Sequence, residues 1–173
     1  TGKTFAFGIP MVEHIDPDSD AVQGLILAPT RELAIQIRDE LRDLCAFREG
    51  VRTVCLYGGQ PIDKQITQLK AKPQIVVATP GRLMDHMKRR TVKLDKVQTV
   101  VLDEADRMLD MGFIQDVTRI LDKMPHRRTL GCFPPQYHGR LWTSPGCTSG
   151  TRRRSPSARW RKTARTSSST PSS

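Results

Sequence analysis

Val100-Val101-Leu102-Asp103-Glu104-Ala105-Asp106, or VVLDEAD, sets two carboxylates directly behind three apolar residues. A strand that is apolar on consecutive positions, rather than alternating ones, is buried on both faces. Such strands belong to parallel sheets sandwiched between helices, and the working residues of those sheets gather at the carboxyl ends of the strands. The stretch sits at the end of VQTVVLDE (97–104), and three other runs share its character: GLILAPT (24–30), VRTVCLYG (51–58) and QIVVATP (74–80). Each is closed by Gly, Pro or a charge. Helical periodicity fills the intervals at 4–14, 30–47, 61–70, 80–89 and 113–123. In the second of these, Leu33, Ile37, Leu41 and Leu44 form an amphipathic stripe between charges. Repeated strand-helix-strand units of this kind predict an α/β fold with a doubly wound, mostly parallel sheet.

The 173 residues suffice for one ordinary domain, and a 37% hydrophobic content is low but workable for a core. The formal charge of +10 is unevenly spread. Residues 1–130 carry a net +2, whereas 131–173 carry +8 with no Asp or Glu. The headline charge therefore does not describe a basic face of the folded part. Both tryptophans, Trp142 and Trp160, also fall after 130, among prolines and a dense Ser/Thr content, a composition that predicts disorder. Cys45, Cys55, Cys132 and Cys147 have neither metal-binding spacing nor the density of a secreted scaffold, which points to free thiols in a reducing, cytoplasmic compartment. No run is long and apolar enough to cross a bilayer, so no membrane partner is expected. His14, His86 and His126 show no ligand spacing, and the pairs Met84/Met87 and Met108/Met111 read as packing residues.

Two motifs suggest phosphate chemistry. TGKT (1–4), followed by a helical pattern, has the form of the last four residues of a phosphate-binding loop. There Gly2 lets backbone N–H groups approach phosphate, Lys3 supplies a mobile cation for the β- and γ-phosphates, and Thr4 offers a hydroxyl to Mg²⁺, all at a helix N-terminus. In the acidic motif, Asp103 is placed to hold Mg²⁺ and Glu104 to orient or deprotonate an attacking water. Three other stretches stand at strand ends: APTRELA (28–34), the pair Gly58-Gly59, and TPGR (79–82). Each has a bland alternative: a helix cap at Thr30, a tight turn, and a helix opened by Pro80.

Taken in order and spacing, TGKT, APTRELA, GG, TPGR and DEAD, with RMLDMGF (107–113) after them, resemble the first RecA-like domain of DEAD-box ATP-dependent RNA helicases. The likeness covers essentially all of residues 1–130. It implies a RecA-like P-loop NTPase sheet, incomplete at both ends, with ATP and Mg²⁺ as cofactors held by Gly2, Lys3, Thr4, Asp103 and Glu104. It also implies RNA-backbone contacts from Pro29, Thr30, Arg31, Glu32, Gly58, Gly59, Thr79, Pro80, Gly81 and Arg82. Asp106 would couple ATP state to RNA through a Ser-Ala-Thr motif further along. The physical logic agrees, since glycines, hydroxyls and arginines at strand ends grip phosphate and shape without reading bases. A complete enzyme of the family further needs an upstream adenine-recognition motif and a second RecA-like domain with arginine fingers. The chain carries neither, and it opens on Thr1 as though cut from something longer.

Where the family places LFSAT, the chain reads Leu130-Gly131-Cys132-Phe133-Pro134-Pro135-Gln136. Back-translated and read from the third base of the Gly131 codon, the codons for 131–139 permit Leu-Phe-Ser-Ala-Thr-(Ile/Val)-Pro-Arg. We therefore expect a partial RecA-like domain over 1–130 and a disordered, out-of-frame basic tail over 131–173. The rival reading is a genuine nucleic-acid-gripping tail, in which Trp160 stands among arginines. A fragment of a helicase and a residual binding module without turnover are the two functional expectations. The encoding DNA distinguishes the tail readings: we expect the Ser-Ala-Thr codons in a shifted frame at Gly131, and their absence from every frame there would refute the frame-shift account.

Overall fold

The computed structural model describes residues 2–127 and 129–133, with only the backbone described at residues 2, 3 and 129–133. The segment from Pro134 onward, including Trp142, Cys147 and Trp160, lies outside the described residues, as does Thr1. In chain order the elements are α1 (Gly2–Glu13), β1 (Gly24–Leu27), α2 (Arg31–Cys45), β2 (Thr53–Leu56), α3 (Ile62–Lys70), β3 (Ile75–Ala78), α4 (Pro80–Lys88), β4 (Thr99–Asp103), α5 (Ala105–Asp110), α6 (Ile114–Asp122) and β5 (Thr129–Phe133). The four expected strands are present but shorter than their apolar runs, because the flanking residues serve as turns and caps. The short helix α5 has no counterpart among the expected helices. β5 carries the chain through Gly131-Cys132-Phe133.

The five strands form one sheet in the order β2-β3-β1-β4-β5, with every pairing parallel. Parallel neighbours require crossover connections, and the helices supply them. Side chains alternate between the two faces. Leu25, Leu27, Val76, Val100 and Leu102 point into a core shared with α4, α5 and α6 through Leu83, Met108, Val117 and Ile120. Ile26, Val77 and Val101 point the other way, against Phe7 and Met11 of α1 and Ile37 and Leu41 of α2. The stripe read on 30–47 is the buried face of α2: Ile37 and Leu41 are fully enclosed, with Leu33 and Leu44 packed at the margin. Gly24 allows α1 to lie close on β1, since a Cβ there would stand 2.8 Å from Met11 Sδ.

Polar side chains knit the rim at the amino ends of the strands. Gln74 is fully buried, donates toward the carbonyls of Pro17 and Gly50 at 3.2 Å each, and accepts from the Arg52 amide at 2.8 Å. Those bonds satisfy loop carbonyls that burial would otherwise penalise. Among the described residues, no helix is long and apolar enough to cross a membrane. The methionines expected to pack do so at Met84, Met87 and Met108, but Met111 is 47% exposed because it follows α5 at a helix end.

Leu41→Ala removes a fully enclosed side chain between α2 and the sheet and should cost about 2–5 kcal/mol. Phe47→Ser, at a position 91% exposed just beyond the same helix, should stay within about 0.5 kcal/mol of the parent. Urea unfolding measures both, and equal effects would contradict this assignment of the α2 face.

Candidate nucleotide and nucleic-acid interface

The strand register decides where the motifs meet. Leu27 pairs with Ala78 on one side and Leu102 on the other, and Leu56 pairs with Ala78, so these strands end level with one another. The residues that follow therefore emerge along a single rim: Gly58-Gly59, then Thr79–Arg82, then Pro29–Glu32, then Asp103–Asp106. β1 leads out through α2 on one face of the sheet, and β4 leads through α5 and α6 on the other. Divergence of this kind opens a crevice at the strand ends.

On the first part of the rim lies an open cleft of about 410 Å³. Pro29, Arg31, Gly58, Thr79, Gly81 and Arg82 line it, drawn from three separate sequence motifs. Asp85 and Phe113 complete the lining; Phe113 ends the RMLDMGF stretch, whereas Asp85 was not picked out in the sequence. The remaining expected residues support it. Thr30 caps α2 by accepting from the Leu33 amide at 3.3 Å, Pro80 is buried as the first residue of α4, and Glu32 pairs with Arg31 at 3.3 Å in solvent. Gly59 turns at φ +89°, and a Cβ there would meet Arg31 Nη1 at 3.2 Å, so glycine lets the loop lie against the arginine. The bland readings and the functional ones thus describe the same residues: a cap or turn is how each strand end presents its polar groups.

The acidic motif occupies the neighbouring part of the rim. Asp103 closes β4 and is 4% exposed. By strand alternation it shares the face of Val101, the face covered by α1. On that helix Thr4 is 5% exposed, whereas the side chain of Lys3 lies outside the description. Glu104 follows at φ +50° and ψ +50°, a left-handed conformation that costs a non-glycine residue of order 1–3 kcal/mol. This turn starts α5 immediately, and it leaves the Glu104 carboxylate paired with Arg107 at 3.3 Å. The same Arg107, after Arg31, helps hold the Glu32 carboxyl below its ordinary pKa, an effect led by Glu32's own backbone N–H. Asp106 lies exposed in the first turn of α5. No cluster of metal-ligating side chains appears among the described residues.

Burial pushes the Cys55 thiol up to about 12 and raises that of Cys45, so neither is a reactive thiolate. His14 and His126 are exposed, as expected of ordinary residues. His86 is fully enclosed, and burial, reinforced by the charge of Arg82, lowers its pKa.

The sequence model of the DEAD/DEAH box helicases matches residues 1–134. The chain belongs to this family. It is 58% identical over 131 residues to an ATP-dependent RNA helicase CshA of Listeria monocytogenes, covering 75% of this chain and 25% of that protein. A DEAD-box ATP-dependent RNA helicase CshA of Geobacillus kaustophilus is 54% identical over 131 residues, 75% of this chain and 28% of its own length. Among solved structures, a DEAD box protein from Methanococcus jannaschii superposes with a TM-score of 0.72 at 42% identity, covering 80% of this chain and 37% of that one. A hypothetical ATP-dependent RNA helicase from Sulfolobus tokodaii gives 0.70 at 36% identity, covering 78% and 38%. The fold is thus that of the RecA-like domains of DEAD-box proteins, and the chain spans about a quarter of the length of these CshA relatives.

The strained turn at Glu104 has a measurable signature. Glu104→Gly should raise stability by about 1 kcal/mol, because glycine adopts positive φ without the steric penalty and the exposed pair with Arg107 contributes little. A melting temperature at or below that of the parent would show that the left-handed turn is not under strain.

Proposed function

We propose that residues 1–130 form the part of a helicase motor domain where ATP and RNA meet, and that the chain by itself binds without turning over. The observation that supports this most directly is the aligned register of β1 to β4, which brings an acidic strand end beside an arginine-bearing cleft. In this reading the chain is a fragment of an ATP-dependent RNA helicase. The cleft formed by Pro29, Arg31, Gly58, Thr79, Gly81 and Arg82, with Thr30, Glu32, Gly59 and Pro80 behind it, grips RNA phosphate and sugar without selecting sequence. A second RecA-like domain of the parent protein completes the machine and brings the arginine fingers.

On the nucleotide side, Gly2 and Lys3 open α1 toward the phosphates, where backbone N–H groups and the helix dipole favour anions. Asp103 and Thr4 offer a carboxylate and a hydroxyl, hard oxygen donors of the kind Mg²⁺ takes, and both are buried on or beneath α1. Mg²⁺ held by Asp103 and Thr4 would supply neutralisation of phosphate charge. Glu104 orients the attacking water and accepts its proton. Asp106 points outward from α5, available to a neighbouring element that senses nucleotide state. Free Cys45 and Cys55 suit a reducing, cytoplasmic setting.

Stabilisation of transition-state charge by an arginine finger is worth several powers of ten in related phosphoryl transfers, so its absence should dominate. The purified 173-residue chain should show no RNA-stimulated ATP hydrolysis above background, and clear stimulated turnover would overturn the non-hydrolysing reading. In a chain extended at both ends with the frame restored, Glu104→Gln should abolish hydrolysis and leave ATP binding intact. Hydrolysis at the parent rate would remove Glu104 from its assigned role.

A further inference from the structure

Arg82 reaches the cleft from α4, and the groups that aim it lie inside the domain. Its Nη1 donates to the Gln60 carbonyl at 2.9 Å and to Gln65 Oε1 at 3.3 Å. Gln65 is fully buried on α3, and its Nε2 donates to the Tyr57 carbonyl at 2.8 Å and to Gln60 Oε1 at 3.0 Å. One side chain therefore clamps both ends of the loop that carries Gly58 and Gly59 while accepting from Arg82.

The chain of bonds continues inward. Gln65 Oε1 also lies 2.8 Å from Nε2 of His86. The Tyr57 carbonyl is an acceptor only, so it fixes which end of the Gln65 amide is nitrogen, and the oxygen left facing His86 accepts. His86 accordingly carries its proton on Nε2. Burial favours the neutral ring, which leaves Nδ1 as an acceptor facing Thr91 Oγ1 at 2.8 Å, and the single hydroxyl proton of Thr91 is divided between that nitrogen and the His86 carbonyl at 3.1 Å. Enclosing an amide and an imidazole completely would cost several kcal/mol without partners. Here each has them, and a fully satisfied buried network of this kind holds one geometry.

Arg31, the other arginine of the cleft, is held differently: its side chain is 54% exposed and, among the described residues, pairs with its neighbour Glu32 alone. A long guanidinium side chain that is already fixed loses less freedom when a ligand arrives. We propose that Gln65, His86 and Thr91 are a relay of positioning residues that sets the aim of Arg82 and the shape of the Gly58-Gly59 loop, and so tunes the cleft's grip on nucleic-acid phosphate. The inference rests on the assignment of the cleft to RNA given above.

The test titrates the 173-residue chain with a fluorescein-labelled single-stranded oligoribonucleotide over a series of KCl concentrations. Gln65→Met and Thr91→Val should each weaken binding roughly five- to tenfold, the scale of one lost hydrogen bond of this kind. Both should lower the slope of log affinity against log salt by up to about 0.7, as removal of one phosphate contact to a single strand does. Thr91→Ser should restore parent behaviour, and Gln65→Met should add nothing in an Arg82→Ala background. Thr91 lies outside the cleft lining and Thr91→Val changes little volume, so it serves where Gln65→Met fails to fold. Variants that lower the melting temperature but keep the parent affinity and slope would overturn the relay, as would additive effects with Arg82→Ala. A second readout is independent of RNA: nitrogen-15 NMR of the Arg82 guanidinium should show restricted rotation in the parent and free rotation in Gln65→Met and Thr91→Val. If Arg82→Ala leaves RNA binding unchanged, the cleft assignment fails, while the Arg82 resonances still decide whether the relay holds the side chain.

Discussion

The structure depends on the in-register parallel pairing of four strands only four or five residues long. Their central side chains are enclosed on both faces, and burial of each Val, Leu or Ile contributes roughly 1.5–3 kcal/mol. Register and burial enforce each other. A slip of one residue in β4 would turn Val100 and Leu102 toward α1 and α2 and carry Asp103 to the face of α4 to α6. The acidic side chain would then be sealed in the larger apolar core and lost from the side of Thr4. The same hydrophobic ordering that holds the sheet therefore also selects the face on which Asp103 stands with Thr4.

Much of this was legible in the sequence because its physical signals are strong. Consecutive apolar residues identified the four strands, and the stripe from Leu33 to Leu44 identified the buried face of α2. The helix α5 escaped notice for a definite reason: it has six residues, starts from a left-handed Glu104 and has no side-chain cap. Acidic residues at its start are the one usual signal it carries. Strand order was equally hidden, since β1 pairs with β3 and β4 rather than with its sequence neighbour β2, and no local pattern records that choice.

The site divides along the same line. The strand-end residues singled out from motif and order, such as Pro29, Gly58, Thr79 and Arg82, come together in the fold, and six of them line one cleft. Gln65, His86 and Thr91 were not singled out, because a polar residue on an amphipathic helix, or just beyond its end, reads as surface until the fold encloses it. His86 in particular passed as an ordinary histidine. Only the convergence of α3, α4 and the loop after β2 shows that its ring is bonded at both nitrogens.

The two halves of the rim meet at Arg31, Glu32 and Arg107, and the pairs there are weakly held. Arg31 with Glu32 and Arg107 with Glu104 are both 3.3 Å contacts with exposed guanidinium groups. Exposed pairs of that kind contribute at most about 1 kcal/mol. An incoming phosphate or nucleotide can exchange such partners at little cost. Arg82, by contrast, is bonded to a backbone carbonyl and to a buried amide. Rigid anchoring at one arginine and loose pairing at the others gives the rim a fixed point for the ligand and an adjustable border between its acidic and basic halves. On the proposed reading, with nucleotide and RNA on the two halves of the rim, that border is the part of the surface where a small rearrangement costs least.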